Sequence, residues 1–305
     1  MRTHIAAFRG RASSFLLSQK RKSFLGATSS SSVPLWLFFS FFSLFKVLHA
    51  QEHYVLHSPS YNPGMFSLFS SVLGFLDFYE ENGCGIEVDL GKKGVYYDKK
   101  KGANWWSYYF EPISIGARSN PVIEITDEQQ SSFANKVLSQ MSRVEAHRLI
   151  EKYIRIKAPL QKKIETFVTK QFKGNYVIGV HYRGTDKISE TPRIEYETVY
   201  REIERAVEGR NEFKLFIATD EQPFLDAITL RYPGKVLSLN AIRSTTQKAV
   251  HASRKNAYQK GEEALLDCVL LSKTDLLIRT PSNLSACSAL FNPKLSVIEI
   301  NSAAR

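Results

Sequence analysis

The strongest chemical signal in the chain is a run of seven residues, His181-Tyr182-Arg183-Gly184-Thr185-Asp186-Lys187. The run directly follows an apolar stretch, and six of its seven residues are polar or glycine. Arg183 and Lys187 place two cations where that stretch opens into a loop. Arginine grips phosphate oxygens with a two-pronged fork and lysine adds a point charge, so the pair suits an anionic ligand. Two further polar clusters follow apolar stretches in the same way, Thr219-Asp220-Glu221 and Thr280-Pro281-Ser282-Asn283. Ser282 and Asn283 open a predicted helix, and a helix N-terminus is a ready anion site. Taken singly, each cluster reads as turn and capping chemistry. Taken together, three clusters in equivalent places point to a nucleotide site.

Asp267 is a separate signal. It sits within Ala264 to Leu271, a segment apolar on every helical face. A lone carboxylate in such a place costs several kcal/mol unless it has a partner. Two partners fit: a nearby lysine or arginine, or the paired N1–H and N2–H₂ donors of a guanine.

These residues need a scaffold, and the pattern from Tyr176 onward supplies one. Predicted strands are Tyr176–His181, Phe213–Thr219, Lys235–Leu239, Asp275–Arg279 and Leu295–Ile300. Predicted helices are Glu195–Glu208, Gln222–Arg231, Gly261–Lys273 and Ser282–Leu290. Alternation of strand and helix, with near-continuous apolar strands, means an α/β fold whose parallel sheet is covered on both faces. Ligands of such sheets bind at the carboxyl ends of the strands, where the three polar clusters fall.

Upstream, residues 53–125 are mixed. His53–His57 and Gly85–Leu90 read as strands, with a helix from Met65 to Glu81 between them. The loop from Gly91 to Ile115 is rich in aromatics, including Tyr96, Trp105, Trp106 and Tyr109. It reads equally as a sugar-stacking platform or as packing between two domains. Thr126-Asp127-Glu128-Gln129 resembles a capping box that starts a helix running toward Ile154. A helix from Ala158 to Phe172 ends at Gly174, a good terminator. The expected division is residues 1–50, residues 51–174 and residues 175–305.

The 305 residues carry a formal charge of +11, which by itself suggests a polyanionic partner such as nucleic acid. Its placement argues otherwise. Residues 1–50 hold Arg2, Arg9, Arg11, Lys20, Arg21, Lys22 and Lys46 and no acid; that +7, taken from +11, leaves +4 for residues 51–305. A nucleic-acid binder would need a basic stripe with interleaved aromatics in that second part, and Lys99–Lys101 is only a short solvated loop. After the basic stretch comes an apolar run from Val33 to Phe45, then Lys46 and Ala50. This order fits a membrane signal-anchor, or a signal peptide cleaved after Ala50; an extension with no role is the alternative. Positive-inside logic then places the remainder across the membrane.

Other chemistries leave no mark. No Asp-x-Asp, GxGxxG, Walker or Gly-x-Ser-x-Gly sequence occurs. Cys84, Cys268 and Cys287 read as structural thiols, and His53 and His57 lie on a strand rather than at metal-ligand spacing. Asn283-Leu284-Ser285 matches a glycosylation sequon, but inside a predicted site.

The segment His181–Lys187 resembles the first motif of the alpha-1,6-fucosyltransferases and nodulation fucosyltransferases, roughly His-x-Arg-Arg-x-Asp-Lys. Phe216–Glu221 and the stretch from Leu266 to Asn283 resemble the second and third motifs, in the right order. The likeness covers residues 176–300 well, and Asn62–Phe66 loosely resembles the family's first Gly-containing loop. The resemblance implies two facing Rossmann-like domains (a GT-B-like fold) with the GDP-sugar in the C-terminal half. It implies metal-independent, inverting transfer of fucose from GDP-fucose to a glycan hydroxyl, at a secretory or Golgi membrane in a eukaryote or the inner membrane in a bacterium.

Carried over by position, Arg183 holds the β-phosphate and His181 sits beside the nucleoside. Thr219 and Asp220 contact the donor, Asp267 reads guanine, and Ser282 and Asn283 bind phosphate. Lys187 assists the departing GDP, and Glu190, one position early, is the candidate catalytic carboxylate. Gly184 stands where the family has a second arginine. Two other readings compete: a transferase for another GDP-sugar, and a membrane-anchored glycan- or nucleotide-binding module without catalysis.

Overall fold

A computed structural model describes residues 52–116, 118, 121–184, 193–246 and 255–300. The N-terminal arm, Lys187 and Glu190 lie outside the described residues.

The first sheet holds β1 (His53–Leu56), β2 (Gly85–Val88), β3 (Ser114–Ile115) and β4 (Val122–Glu124), in the order β3-β2-β1-β4. β1 pairs in parallel with β2 and β4, and β3 runs antiparallel to β2. Between β1 and β2 runs α1 (Met65–Asn82), which ends at Gly83 in the left-handed conformation at φ 69°. The expected helix from Thr126 toward Ile154 is two helices, α2 (Asp127–Ser139) and α3 (Arg143–Tyr153). The Thr126–Gln129 capping box starts α2 as expected. Ser142 then caps a new start, its hydroxyl accepting from the Glu145 N–H at 3.1 Å, so Ser142-Arg-Val-Glu145 is itself the break signal. α4 (Ala158–Phe167) widens into a π-type turn at Val168–Phe172 and stops at Gly174, φ 79°.

The second sheet is wholly parallel: β5 (Val177–Tyr182), β6 (Lys214–Thr219), β7 (Val236–Leu237), β8 (Leu276–Arg279) and β9 (Ser296–Glu299), in the order β7-β6-β5-β8-β9. The alternation expected from Tyr176 onward is what forms. The chain moves outward from β5 to β7 and then returns to the other side of β5, so the strand order switches between β5 and β8. Such a switch opens a crevice at the carboxyl ends. The register levels those ends, with His181 opposite both Ala218 and Arg279.

Helices α5 (Tyr196–Ala206) and α6 (Gln222–Arg231) bury Val199, Ile203, Phe224 and Ile228 against Ile178, Val180, Leu215 and Ile217. The alternate strand residues, including Val177, Phe216 and Ala218, face the other way. They join the core that contains α7 (Ala257–Leu271) and α8 (Asn283–Phe291). The Cβ of any other residue at position 179 would come within 2.9 Å of Leu271 Cδ2 and Thr274 Oγ1, so Gly179 lets the end of α7 lie directly on β5. That core continues into the first sheet, and Phe69 of α1 stacks on Phe291 of α8 at 5.3 Å. The three cysteines are free and buried, in keeping with structural thiols.

Candidate functional site

A cavity of about 360 Å³ opens at the carboxyl ends of the second sheet. His181 and Arg183 reach it from β5, and Thr219 and Asp220 from β6. Asp267 comes from α7, and Ser282 and Asn283 from the start of α8. Seven of the nine expected site residues therefore line one cavity. The other two, Lys187 and Glu190, lie outside the described residues.

The three polar clusters are tied to each other. The Arg183 N–H donates to Thr280 Oγ1 at 3.0 Å, and the Thr280 N–H donates to the His181 carbonyl at 3.0 Å. Asp220 accepts from the Gly184 N–H at 3.3 Å and lies 3.9 Å from Arg183 Nε. The Glu221 N–H donates to Thr219 Oγ1 at 3.2 Å. Turn chemistry and site construction are thus the same bonds: they hold Arg183 where β5 ends.

The departure at Gly184 has a structural counterpart. A Cβ there would overlap Oε2 of Glu221, which is 5% exposed. Glu221 Oε1 in turn accepts from Arg193 at 2.6 Å. A buried carboxylate occupies the space that a side chain at 184 would need, and Arg193 balances its charge.

Two buried polar atoms in the cavity wall lack a hydrogen-bond partner among the described residues: Nδ1 of His181 and Oδ1 of Asp267. Burial, then the nearby Arg183 and Arg279, push the His181 imidazole down to about 3, so it is neutral at physiological pH. Burial pushes the Asp267 carboxyl up to about 7; Arg243 pulls it back and Glu263 adds to the rise. Arg243 does not pair with it, because its guanidinium donates to the carbonyls of Ala241 and Leu239 at 3.3 and 2.7 Å. Of the two partners open to Asp267 in the sequence, an ion pair is not made among the described residues.

Two helix N-termini face the same cavity. α8 begins at Ser282, whose side chain makes no cap bond. α1 begins at Gly64, also without a side-chain cap or an acid in the first turn. Its Met65 N–H donates to the Tyr96 hydroxyl at 2.9 Å. Each N-terminus presents partial positive charge, which favours an anion between them.

Sequence reasoning missed Lys260 and Glu263, named Tyr96 only as one member of the aromatic loop, and noted Asn62–Phe66 only as a loose likeness; Lys260, Glu263, Tyr96 and residues 63–67 line the cavity. Helix α7 starts at Ala257, before the expected Gly261, because Asn256 takes the left-handed conformation at φ 53° and turns the chain early. That puts Lys260 on the helix face that carries Asp267.

The aromatic loop is packing. Trp105, Trp106, Tyr109 and Phe110 are almost wholly buried, with Trp106 stacked on Phe110 at 4.3 Å. Tyr96 is the member of that loop that reaches the cavity. Among the described residues no three His, Cys, Asp or Glu side chains converge as metal ligands, and no helix is long and apolar enough to cross a membrane.

Comparison with known proteins places this geometry. The family profile of nodulation protein Z (NodZ) matches residues 127–305. Nodulation protein Z of Bradyrhizobium diazoefficiens is 23% identical over 224 residues, which is 66% of this chain and 60% of that protein. The chain thus spans about 60% of the length of this curated relative. A crystal structure of NodZ alpha-1,6-fucosyltransferase co-crystallised with GDP superposes with a TM-score of 0.58 at 17% identity, covering 83% of this chain and 97% of that one. One soaked with GDP-fucose gives 0.58 at 18% identity, covering 83% and 96%. The fold of this chain is the GT-B-like fold of these structures.

Proposed function

The chain belongs to the nodulation protein Z family, and we propose on that premise that it is a glycosyltransferase moving fucose from GDP-fucose to a hydroxyl of a glycan. One observation carries the reading. A single cavity combines a buried carboxylate oxygen without a partner among the described residues, at Asp267, with a cation and two helix N-termini whose N-cap residues make no side-chain cap bond. The first matches the paired donors of guanine and the others match a diphosphate. That the related structures contain GDP and GDP-fucose supports the same donor.

In this reading Asp267, ionised, accepts from guanine N1–H and N2–H₂, and neutral His181 meets the nucleoside. Thr219 and Asp220 contact the donor. Arg183 and the N–H groups opened by Ser282 and Asn283 hold the diphosphate. The acceptor oxygen attacks the anomeric carbon from the face opposite the phosphate. The bond from that carbon to the β-phosphate oxygen breaks, and its electron pair leaves with GDP. Arg183 and Lys187 supply positive charge where this negative charge develops, so the reaction runs without a metal ion. Glu190 takes the acceptor proton. The roles of Lys187 and Glu190 rest on their positions in the motif. Residues 51–174 would serve the acceptor side and residues 175–305 the donor. The basic stretch and the apolar run to Phe45 support attachment to a membrane, as a signal-anchor or a cleaved signal.

The test is a transfer assay with GDP-fucose and a panel of glycans, read by mass spectrometry. The expected product is a glycan heavier by one fucose, with GDP released in equal amount. Tight GDP binding with no product on any acceptor would favour a binding module instead.

A further inference from the structure

β6 runs into two consecutive acids, Asp220 and Glu221, beside the end of β5. Asp220 lines the cavity and accepts from the Gly184 N–H. Glu221 does not line it but lies directly behind it. Its Oε2 occupies the place of a Cβ on Gly184, one residue after Arg183. The carboxylate is buried, and that oxygen has no hydrogen-bond partner among the described residues. A negative charge in this place opposes a diphosphate at Arg183, because little water screens the repulsion.

Arg193 removes that cost from outside the cavity, which it does not line. Its guanidinium donates to Glu221 Oε1 at 2.6 Å and to the Tyr196 hydroxyl at 3.2 Å, and lies 5.5 Å from the centre of the Tyr196 ring. Tyr196 packs edge-on against Tyr182 at 5.3 Å, and the Tyr182 hydroxyl donates to the Ile194 carbonyl at 2.8 Å. The approach to α5 is thus fastened to the end of β5, with Arg193 turned onto Glu221. Position 184 carries no cation, and the charge that balances Glu221 comes from position 193 instead.

We propose that Arg193 is a positioning residue for the donor diphosphate: it holds and neutralises Glu221, so that the turn at Arg183 and Gly184 can receive an anion. The inference rests on the donor reading above and extends it to a residue outside the three motifs. Arg193 touches no part of the donor and acts through Glu221. Without it, a buried carboxylate lacking a counter-ion stands behind the phosphate-binding turn. The base, held at Asp267, does not feel that change.

The experiment titrates guanosine and GDP calorimetrically into the full chain, into Arg193→Met, and into Arg193→Met combined with Glu221→Gln. Arg193→Met should lose GDP affinity by about tenfold, with guanosine unchanged within about twofold, as expected for an uncompensated charge near the phosphates. Removing the carboxylate as well should restore GDP affinity to within about threefold of wild type, a non-additive result. A double variant no better than Arg193→Met would overturn the proposal, because Arg193 would then not act through Glu221. Equal loss for guanosine and GDP would also overturn it, as the mark of a structural role. If Arg193→Met does not fold, Arg193→Gln is read by the same ratios. A wild-type protein that binds neither ligand would overturn the donor reading and this inference with it. Wild-type GDP binding that Arg193→Met leaves intact would overturn this inference alone.

Discussion

Gly184 lies against Glu221 so closely that a Cβ built on it overlaps Oε2 of that carboxylate and comes 2.8 Å from Cε1 of Tyr182. The family motif has an arginine at this position. Here a buried carboxylate fills the space, and Arg193 pairs with it at 2.6 Å. Gly184→Ala should therefore destabilise the protein by about 1–3 kcal/mol through overpacking. In a Glu221→Ala background the same change should cost much less, because the overlapped oxygen is gone. Urea denaturation of the four proteins measures the coupling. Additive effects would mean that the two residues do not constrain each other.

Asp267 predicts an unusual pH dependence. Its folded value is raised from 3.8 to about 7 by burial. A raised acid holds its proton more tightly in the folded state, so its contribution is fully present below pH 4 and lost as pH rises through 7. Asp267→Asn, which never ionises, should gain thermal stability over wild type between pH 5 and pH 8 without ligand. Guanosine binding should run the opposite way, because the base needs the ionised carboxylate. Wild-type affinity should rise with pH by up to about tenfold per unit until pH 7, then level off. Asp267→Asn should lose both the affinity and the slope. A flat wild-type profile would remove Asp267 from the base site.

Arg183→Ala separates chemistry from folding. Its ion pair with Asp220 is long, at 3.9 Å, and partly open to solvent. Its loss should cost no more than about 1 kcal/mol of stability. Transfer should fall by at least about 10²–10³-fold, the usual cost of removing one preorganised charge from a developing anion. Near-normal turnover in a folded variant would overturn the assignment of Arg183.

Metal dependence is a further check. With cations supplied by side chains, transfer should continue in excess EDTA at the rate seen without it. Complete loss, restored by Mn²⁺, would require a different account of how the diphosphate departs.

The C-terminal half is legible in the sequence because a covered parallel sheet demands apolar strands between amphipathic helices, and each strand lies within two residues of its expected bounds. Its site residues are legible for the same reason: the topology brings the ends of β5, β6 and β8 together, so polar residues after those strands must meet. What stays hidden depends on packing between distant segments. Tyr96 reaches the cavity only because its hydroxyl meets the Met65 N–H at the start of α1. Lys260 lines the cavity from the first turns of α7, a helix that starts earlier than the sequence pattern suggests, after Asn256 in the left-handed conformation. Strands β3 and β4 are two and three residues long, too short to show a period. The net charge alone says little: +11 suggests a polynucleotide, whereas its placement, +7 in residues 1–50 and +4 in the rest, suggests a membrane address on the arm and a diphosphate site at Arg183 and Lys187.

The central claim is that this cavity binds a guanosine diphosphate sugar. Calorimetric titration of the full chain with GDP-fucose, GDP and a set of UDP-sugars tests it most directly. The account predicts binding of GDP-fucose and GDP, abolished by Asp267→Ala, and none of the UDP-sugars. Binding of UDP-sugars alone would contradict it.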